Sequence, residues 1–478
     1  MTKYYITTTI FYINDKPHIG HAYDTIAADV LARYWRAKLG KDKVWFLTGT
    51  DENSKKTVES AKEVGQEIEA YTNTMAKQWQ STWDALGISY NRFIRTSEPD
   101  HEAAVRDVVT KIHTAGDITK GIYEGLYCYK CEMFYKEDEL IEGLCPVHKT
   151  PPEFIKEENY FFKLSKYQDA LKKHIDQHPD FIQPESRRNE VLAFIDRGLE
   201  DISISRANQT LGIKLPFDPS QVVYVWVDAL INYLTGVGYP KADYKDWWPA
   251  DLHVIGKDII KFHCIIWPAM LLSAGLELPK RVVAHGFFTV DGEKISKSLG
   301  NGINPLDISE TYGVDALRYY LLSEFPFGAD GNFSQDRLSK VYQSNLANEL
   351  GNLVQRVAKM AVQYLDGQIG ANPPHTHDVK DIEDSIENYH FEAALKDIWV
   401  KIRGLNQMVD EEKPWVLAKT DKDQLEKVLK HIISDLLQIT GLLAPFLPTT
   451  AEKIQKTLGG STVDTSVGIL FPKVESNA

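Results

Sequence analysis

The chain has 478 residues, 43% hydrophobic and 25% charged, with a net charge of −13. That length suffices for two to four domains, and the acidic balance excludes a protein that coats nucleic acid by bulk electrostatics, though not local basic patches. It holds no apolar run of the roughly 20 residues that span a bilayer, no secretion signal and too few cysteines (four) for a disulfide framework, so a cytosolic, non-membrane protein is expected.

Residues 4–10 form a β-type run rich in Tyr, Ile and Thr, followed by the turn-like Asn14, Asp15, Lys16 and Pro17. From Ile19, the residues Ala22, Ile26, Ala27, Val30, Leu31 and Tyr34 recur at helical spacing up to Gly40. Residues 44–48 read as a second buried strand, with Asp51 just past its end. Strand, helix, strand opens a parallel α/β sheet, in which ligands bind beyond the carboxyl ends of the strands. From about 114 to 223 the rhythm breaks into short strands, Gly turns, clustered cysteines and charged stretches, as an insertion would. It resumes with strands expected at 222–227, 253–256 and 282–287, interleaved with helical stretches such as 259–272. From Ser334 to Leu447 the pattern is almost wholly helical, broken by a Pro- and Gly-containing link at 366–378, and the residues from Gly459 read as a loose tail. The expected fold class is α/β: a parallel-sheet domain (1–114 and 224–333) split by an insertion (115–223) and followed by an α-helical domain (334–478).

Pro17-His18-Ile19-Gly20-His21 lies where the first strand hands over to the first helix. A helix N-terminus presents N–H groups and a positive dipole end suited to phosphate. Gly20 allows close backbone approach, and His18 and His21 can donate to phosphate oxygens. Taken alone, the string equally describes two solvated histidines. Lys294-Ile295-Ser296-Lys297-Ser298-Leu299-Gly300-Asn301 is a cationic loop able to close over a polyphosphate, or a charged surface turn. Cys128-x-x-Cys131 and Cys145-x-x-His148 supply two chelating pairs in the pattern of a closed, structural zinc site with three cysteines and one histidine. Cys264 stands apart and reads as a small buried residue.

A His-Gly string after the first strand, paired with a Lys-Ser loop after the last, resembles the signature pair of class I aminoacyl-tRNA synthetases, here with Ile295 in place of Met. The strings TIFYIN (9–14), FLTGTDEN (46–53), YVWVDA (224–229) and IGKDIIKFH (255–263) narrow the resemblance to methionyl-tRNA synthetases, over residues 4 to about 471. That resemblance implies a Rossmann-type catalytic domain, a zinc knuckle in the insertion and an anticodon-binding helical domain. It implies ligation of L-methionine to tRNA(Met) with ATP and Mg²⁺. By it, His18, Gly20, His21, Lys294 and Lys297 bind ATP, and the two histidines and two lysines act in catalysis. Ile10, Tyr12, Asp51, Trp226, Ala229, Leu230, Tyr233, Ile259 and His263 hold methionine; the family often has Pro where this chain has Leu230. Asn352, Arg356, Pro414 and Trp415 read the anticodon.

These residue types suit those roles. A buried ammonium needs a carboxylate such as Asp51, and a thioether suits aromatic walls. Trp415 can stack an unpaired base while Asn352 and Arg356, sharing a helix face, bond its edges. Core packing is the competing account of Trp226, Tyr233 and Trp415. Relatives for valine, leucine or isoleucine would carry a large editing insertion, and one for cysteine would place zinc at the amino-acid pocket. A non-catalytic zinc-containing RNA-binding module would leave both signatures unexplained. Many relatives continue past a Phe-Pro string like Phe471-Pro472 into a dimerising module; with the chain stopping at Ala478, a monomer is expected.

Overall fold

The computed structural model describes residues 2–128, 133–146, 149–207, 209, 211–290, 292–294, 302–370 and 378–474, with backbone alone at 133, 134, 293 and 294. The chain forms two compact units, one of Met1–Pro17 with Leu39–His285, the other of His18–Lys38 with Gly286–Ala478. Among the described residues no helix is long and apolar enough to cross a membrane.

A six-stranded sheet centres the first unit. From Tyr4–Tyr12 the strands run outward through Val44–Asp51 to Arg92–Arg95 on one side, and through Leu252–Gly256 and Val282–His285 to Ile182–Gln183 on the other. Every pairing is parallel. The central strands are buried along nearly their whole length, as parallel sheets covered on both faces require. Strand order reverses beside Tyr4–Tyr12, and such a switch point is where open α/β sheets bind ligands. Between the pairs Thr7↔Leu47 and Ile10↔Gly49 the first strand carries one residue more than its neighbour. This bulge bends the strand and re-aims the side chains beyond it, Ile10 and Tyr12. At Gly49 a Cβ would lie 2.0 Å from the Ile94 carbonyl oxygen, so only glycine permits that approach.

Three expectations change in detail. Residues 222–227 do not form one strand: Val222–Val223 pairs antiparallel with Ser205–Arg206, and Val225–Leu230 is α-helical. The alternating valines and aromatics suit a pleat, but burial on a helical turn outweighs that propensity. The stretch 115–223, expected to interrupt the sheet, also adds to it through Ile182–Gln183. Its other strands build an antiparallel sheet in the order Met133–Tyr135, Ile118–Cys128, Glu153–Phe162, Ile202–Ser203. The helical stretch expected at 259–272 is a π-helical segment, Phe262–Ile266, running into the α-helix Trp267–Ser273.

The second unit is almost wholly helical from Gln335–Val341 to Pro448–Leu458, as expected. It also contains a small sheet of Glu293–Lys294, Phe288–Val290 and Gly331–Phe333. The Ile19–Leu39 helix is held within it by an ion pair between Asp29 and Arg318, both fully buried and 2.8 Å apart. Asp29 also accepts from Arg33 at 2.7 Å, and Arg318 donates to the carbonyls of Phe446 and Pro445 at 2.7 and 2.9 Å. Further along the helix, Tyr34 and Lys38 both donate to Glu387 at 2.7 Å. Removing Asp29 strands a buried guanidinium. Asp29→Ala is therefore expected to cost about 3–5 kcal/mol, read as a lower urea midpoint for the second unit. Adding Arg318→Met should return part of the loss, and an unchanged midpoint for Asp29→Ala would refute the assignment.

Candidate functional site

His18 closes the loop after the first strand, and Gly20 and His21 lie in the first turn of Ile19–Leu39. The rings of His18 and His21 stack with centroids 3.6 Å apart and planes 21° from parallel. The backbone N–H of Gly20 donates to His18 Nδ1 at 3.1 Å, and that of His18 donates to His21 Nδ1 at 3.2 Å. A ring nitrogen that accepts from an N–H carries no proton, so the neutral form of each ring is protonated at Nε2. Burial first, and the neighbouring His18 second, hold the His21 pKa well below its ordinary value, so that ring is neutral at pH 7. The expected backbone cradle for phosphate takes another form. The N–H of Ile19 goes to the Ile303 carbonyl at 3.0 Å, that of Gly20 to His18 Nδ1, and that of His21 to the His18 carbonyl at 3.0 Å. With the opening amides spent inside the protein, the donors that this helix start can offer an anion are those of the imidazoles.

The bond to Ile303 ties the helix start to the chain just past the lysine-rich loop. Before that loop, Glu293 and Lys294 pair with Val290 and Thr289, and Tyr23 meets Phe288 edge-on at 4.7 Å. The backbone position of Lys294 is thereby fixed, whereas Lys297 lies outside the described residues.

In the first unit, Tyr12 stands opposite Asp51, and Ile10 opposite Gly49, at the carboxyl ends of the first two strands. Asp51 is buried. Tyr12 meets Trp226 edge-on at 6.1 Å, and Trp226 stacks on Phe262 at 3.9 Å. Trp226 shares the Val225–Leu230 helix with the buried Ala229 and Leu230, and Tyr233 follows on Asn232–Thr235. Ile259 and His263 come from the chain beyond Leu252–Gly256. His263 Nδ1 lies 3.1 Å from the Ile259 carbonyl, which can only accept, so Nδ1 holds the ring proton. Nε2 then accepts from the Tyr233 hydroxyl at 2.7 Å. Burial pushes the His263 pKa down to about 4, leaving the ring neutral. Trp226 Nε1 is buried and has no hydrogen-bond partner among the described residues, a donor that a ligand or water can satisfy. Phe262 was not foreseen from the sequence. Its stacking depends on the π-helical turn, which helical periodicity of 3.6 does not signal; such turns recur at functional sites.

Asn352 and Arg356 lie four apart on the Asn352–Leu365 helix. Arg356 donates to Asp410 at 2.6 Å, a partner the sequence did not suggest. Pro414 opens the Pro414–Thr420 helix, and Trp415 is 41% exposed, which removes core packing as its explanation. It lines a surface pocket with Tyr364, Lys419 and Lys422. Cys128 and Cys145 share one small buried cluster with Tyr135. Cys128 ends a strand whose partner begins at Met133, and a turn from Cys145 is closed by the Lys149 N–H at 2.8 Å. Cys131 and His148 lie outside the described residues. Burial pushes the Cys264 thiol pKa up, in keeping with an inert packing role.

Residues 4–151 and 138–358 match the family described as tRNA synthetases class I (M), and residues 374–467 that described as the anticodon binding domain of methionyl tRNA ligase. The methionine–tRNA ligase of Caldanaerobacter subterraneus subsp. tengcongensis is 45% identical over 473 residues, covering 95% of this chain and 74% of that protein. That of Thermosynechococcus vestitus is 43% identical over 477 residues, with 95% and 90% covered. The solved Mycobacterium tuberculosis methionyl-tRNA synthetase in complex with methionyl-adenylate has a TM-score of 0.94 at 39% identity, with 99% of this chain and 100% of that chain covered. In sequence and fold alike, this chain belongs to the methionyl-tRNA synthetases of class I.

Proposed function

We propose that the chain carries out methionine–tRNA ligation with a phosphate-handling group at the start of the Ile19–Leu39 helix and a methionine-selecting group at the carboxyl ends of the sheet strands. The observation that carries this reading is the stacked His18–His21 pair, its Nε2 donors fixed by backbone N–H groups, at a helix start tied to the end of the lysine loop. The methionine carboxylate, already ionised, attacks the α-phosphorus of ATP, taken as its Mg²⁺ complex, and pyrophosphate leaves. No general base is needed, so catalysis consists of alignment and charge neutralisation. His18 and His21 donate to phosphate oxygens beside Gly20, while Lys294 and Lys297 offset charge moving toward the departing pyrophosphate. Asp51 receives the ammonium. The thioether lies against Tyr12, Trp226, Tyr233 and His263, within apolar walls of Ile10, Ala229, Leu230 and Ile259. A terminal ribose hydroxyl of tRNA then attacks the acyl carbonyl of methionyl-adenylate, releasing AMP.

On this reading Trp415 stacks an anticodon base, Pro414 sets the start of its helix, and Asn352 and Arg356 bond base edges. Arg356 exchanges Asp410 for RNA and so keeps a polar partner throughout. Cys128, Cys131, Cys145 and His148 hold one structural zinc, a reading supported by the two described cysteines sharing one buried cluster. The metal would stabilise a knuckle too small to fold on its own core. Thiols committed to metal rather than disulfides fit a reducing, cytosolic setting.

Three outcomes are expected. Lys297→Ala should lower kcat for adenylate formation by ~10²-fold or more, if it acts as a preorganised electrostatic contact, with methionine KM nearly unmoved. Asp51→Ala should raise methionine KM as well as lowering rate. Steady-state pyrophosphate exchange separates them, and a pure KM effect at Lys297 would remove the loop from phosphate chemistry. Trp415→Ala and Arg356→Ala should each weaken tRNA charging by ~1–3 kcal/mol while exchange stays near parental. Joint loss of both activities would instead make Trp415 a support of the helical domain. Metal analysis of freshly purified protein should find one zinc per chain, lost in Cys145→Ala; well under one equivalent in the parent would rule the site out.

A further inference from the structure

Beside the methionine group lies a buried polar network that the reaction scheme leaves unused. Asp228 and His101 are fully buried, and Glu52 and Asn53 nearly so. Asp228 Oδ1 accepts from His101 Nε2 at 2.7 Å, and Asp228 Oδ2 accepts from Asn53 Nδ2 at 2.8 Å. Asn53 Nδ2 also donates to the Thr96 carbonyl at 3.2 Å, and His101 Nδ1 meets the Thr235 hydroxyl at 3.0 Å. Glu52 accepts from Arg95 at 2.7 and 3.0 Å and from Ser97 at 2.6 Å.

The placement of these residues is informative. Asn53 is two residues past Asp51, and Asp228 lies on the short helix that presents Trp226. A buried carboxylate is a poor source of stability compared with apolar packing, so what this one supplies is geometry. Its oxygens only accept, so both Asn53 and His101 are obliged to donate to it. Glu52 meanwhile anchors the same segment to the chain after the third strand.

We propose that Asn53, Asp228 and His101 are positioning residues for methionine, setting the separation of the Asp51 carboxylate from the Trp226 helix so that ammonium and side chain are held together. The inference rests on the assignment of Asp51 and Trp226 to methionine. Asp228→Asn keeps size and shape but turns an N–H toward one of two donors, so it breaks the arrangement without opening a cavity. The histidines assigned to phosphate take no part in this network, so binding of ATP should be spared.

Pyrophosphate exchange and active-site titration on Asn53→Ala, Asp228→Asn, His101→Ala and His101→Gln test this. The first three should raise methionine KM about tenfold, the loss of one buried hydrogen bond, with ATP KM and adenylate formed per chain unchanged. His101→Gln, whose amide can donate to Asp228 and accept from Thr235, should recover most of the loss. Asn53→Ala, at the edge of the network, keeps the test open if Asp228→Asn fails to fold. A parental methionine KM in Asn53→Ala, or a loss confined to the fraction of chains that form adenylate, assigns the network to fold maintenance and overturns the proposal. Asp51→Ala is the reference: if it leaves methionine KM unmoved, the pocket assignment has failed and this inference with it. If it raises KM while Asn53→Ala does not, the network alone has failed.

Discussion

Pairing of Ile6 and Thr7 with Leu252 and His253 closes the first unit upon itself. The partners are 246 positions apart, so the contact is costly in chain entropy and slow to form, and side chains reinforce it. Asp251 accepts from the Tyr5 N–H at 2.7 Å and returns its own N–H to the Tyr5 carbonyl at 2.9 Å. The Thr7 hydroxyl meets His253 Nδ1 at 2.7 Å, and the Tyr5 hydroxyl reaches the Tyr233 carbonyl at 2.7 Å. Once this seam is made, Tyr12 and Asp51 from one side of the sheet come together with Trp226, Phe262 and His263 from the other. The placing of these side chains together therefore depends on a contact several residues away from them.

Histidine chemistry in this fold is decided by the backbone. Burial keeps His21, His253 and His263 below the ordinary imidazole range. A neutral imidazole has one donor and one acceptor, so its tautomer decides what it can do. At His21 a backbone N–H occupies Nδ1 and leaves the proton on Nε2, suited to an anion. At His263 a backbone carbonyl takes the Nδ1 proton and turns Nε2 into an acceptor for Tyr233. The same residue type thus presents a donor at one place and an acceptor at the other through opposite protonation patterns.

Much of this was legible in the sequence. A run of β-forming residues located the first strand, and helical periodicity located the first helix and the helical C-terminal part. The paired signatures and four longer strings identified the family. What stayed hidden depends on tertiary context. The bulge before Ile10 is a register shift between two strands, and the helix at Val225–Leu230 overrides a β-like composition. The π turn that lets Phe262 stack on Trp226 has no counterpart in simple periodicity. Arg356 looked available for RNA, yet its partner Asp410 lies on another helix and could not be read from spacing. The spent amides at Ile19 and Gly20 follow from Ile303 and His18, a long-range bond and a side-chain orientation.

The grouping of the Ile19–Leu39 helix with residues from Gly286 onward bears on how the protein is made. Tyr23 hydrogen-bonds to the Phe327 carbonyl, which is synthesised 304 positions later. At about 5–20 residues per second on the ribosome, that partner emerges roughly 15–60 s after the helix does. Through this interval the nascent helix carries apolar side chains and the acidic Asp29 with no final docking surface to receive them. The order of synthesis, rather than the stability of the finished fold, sets when the end that carries His18 and His21 can first assemble.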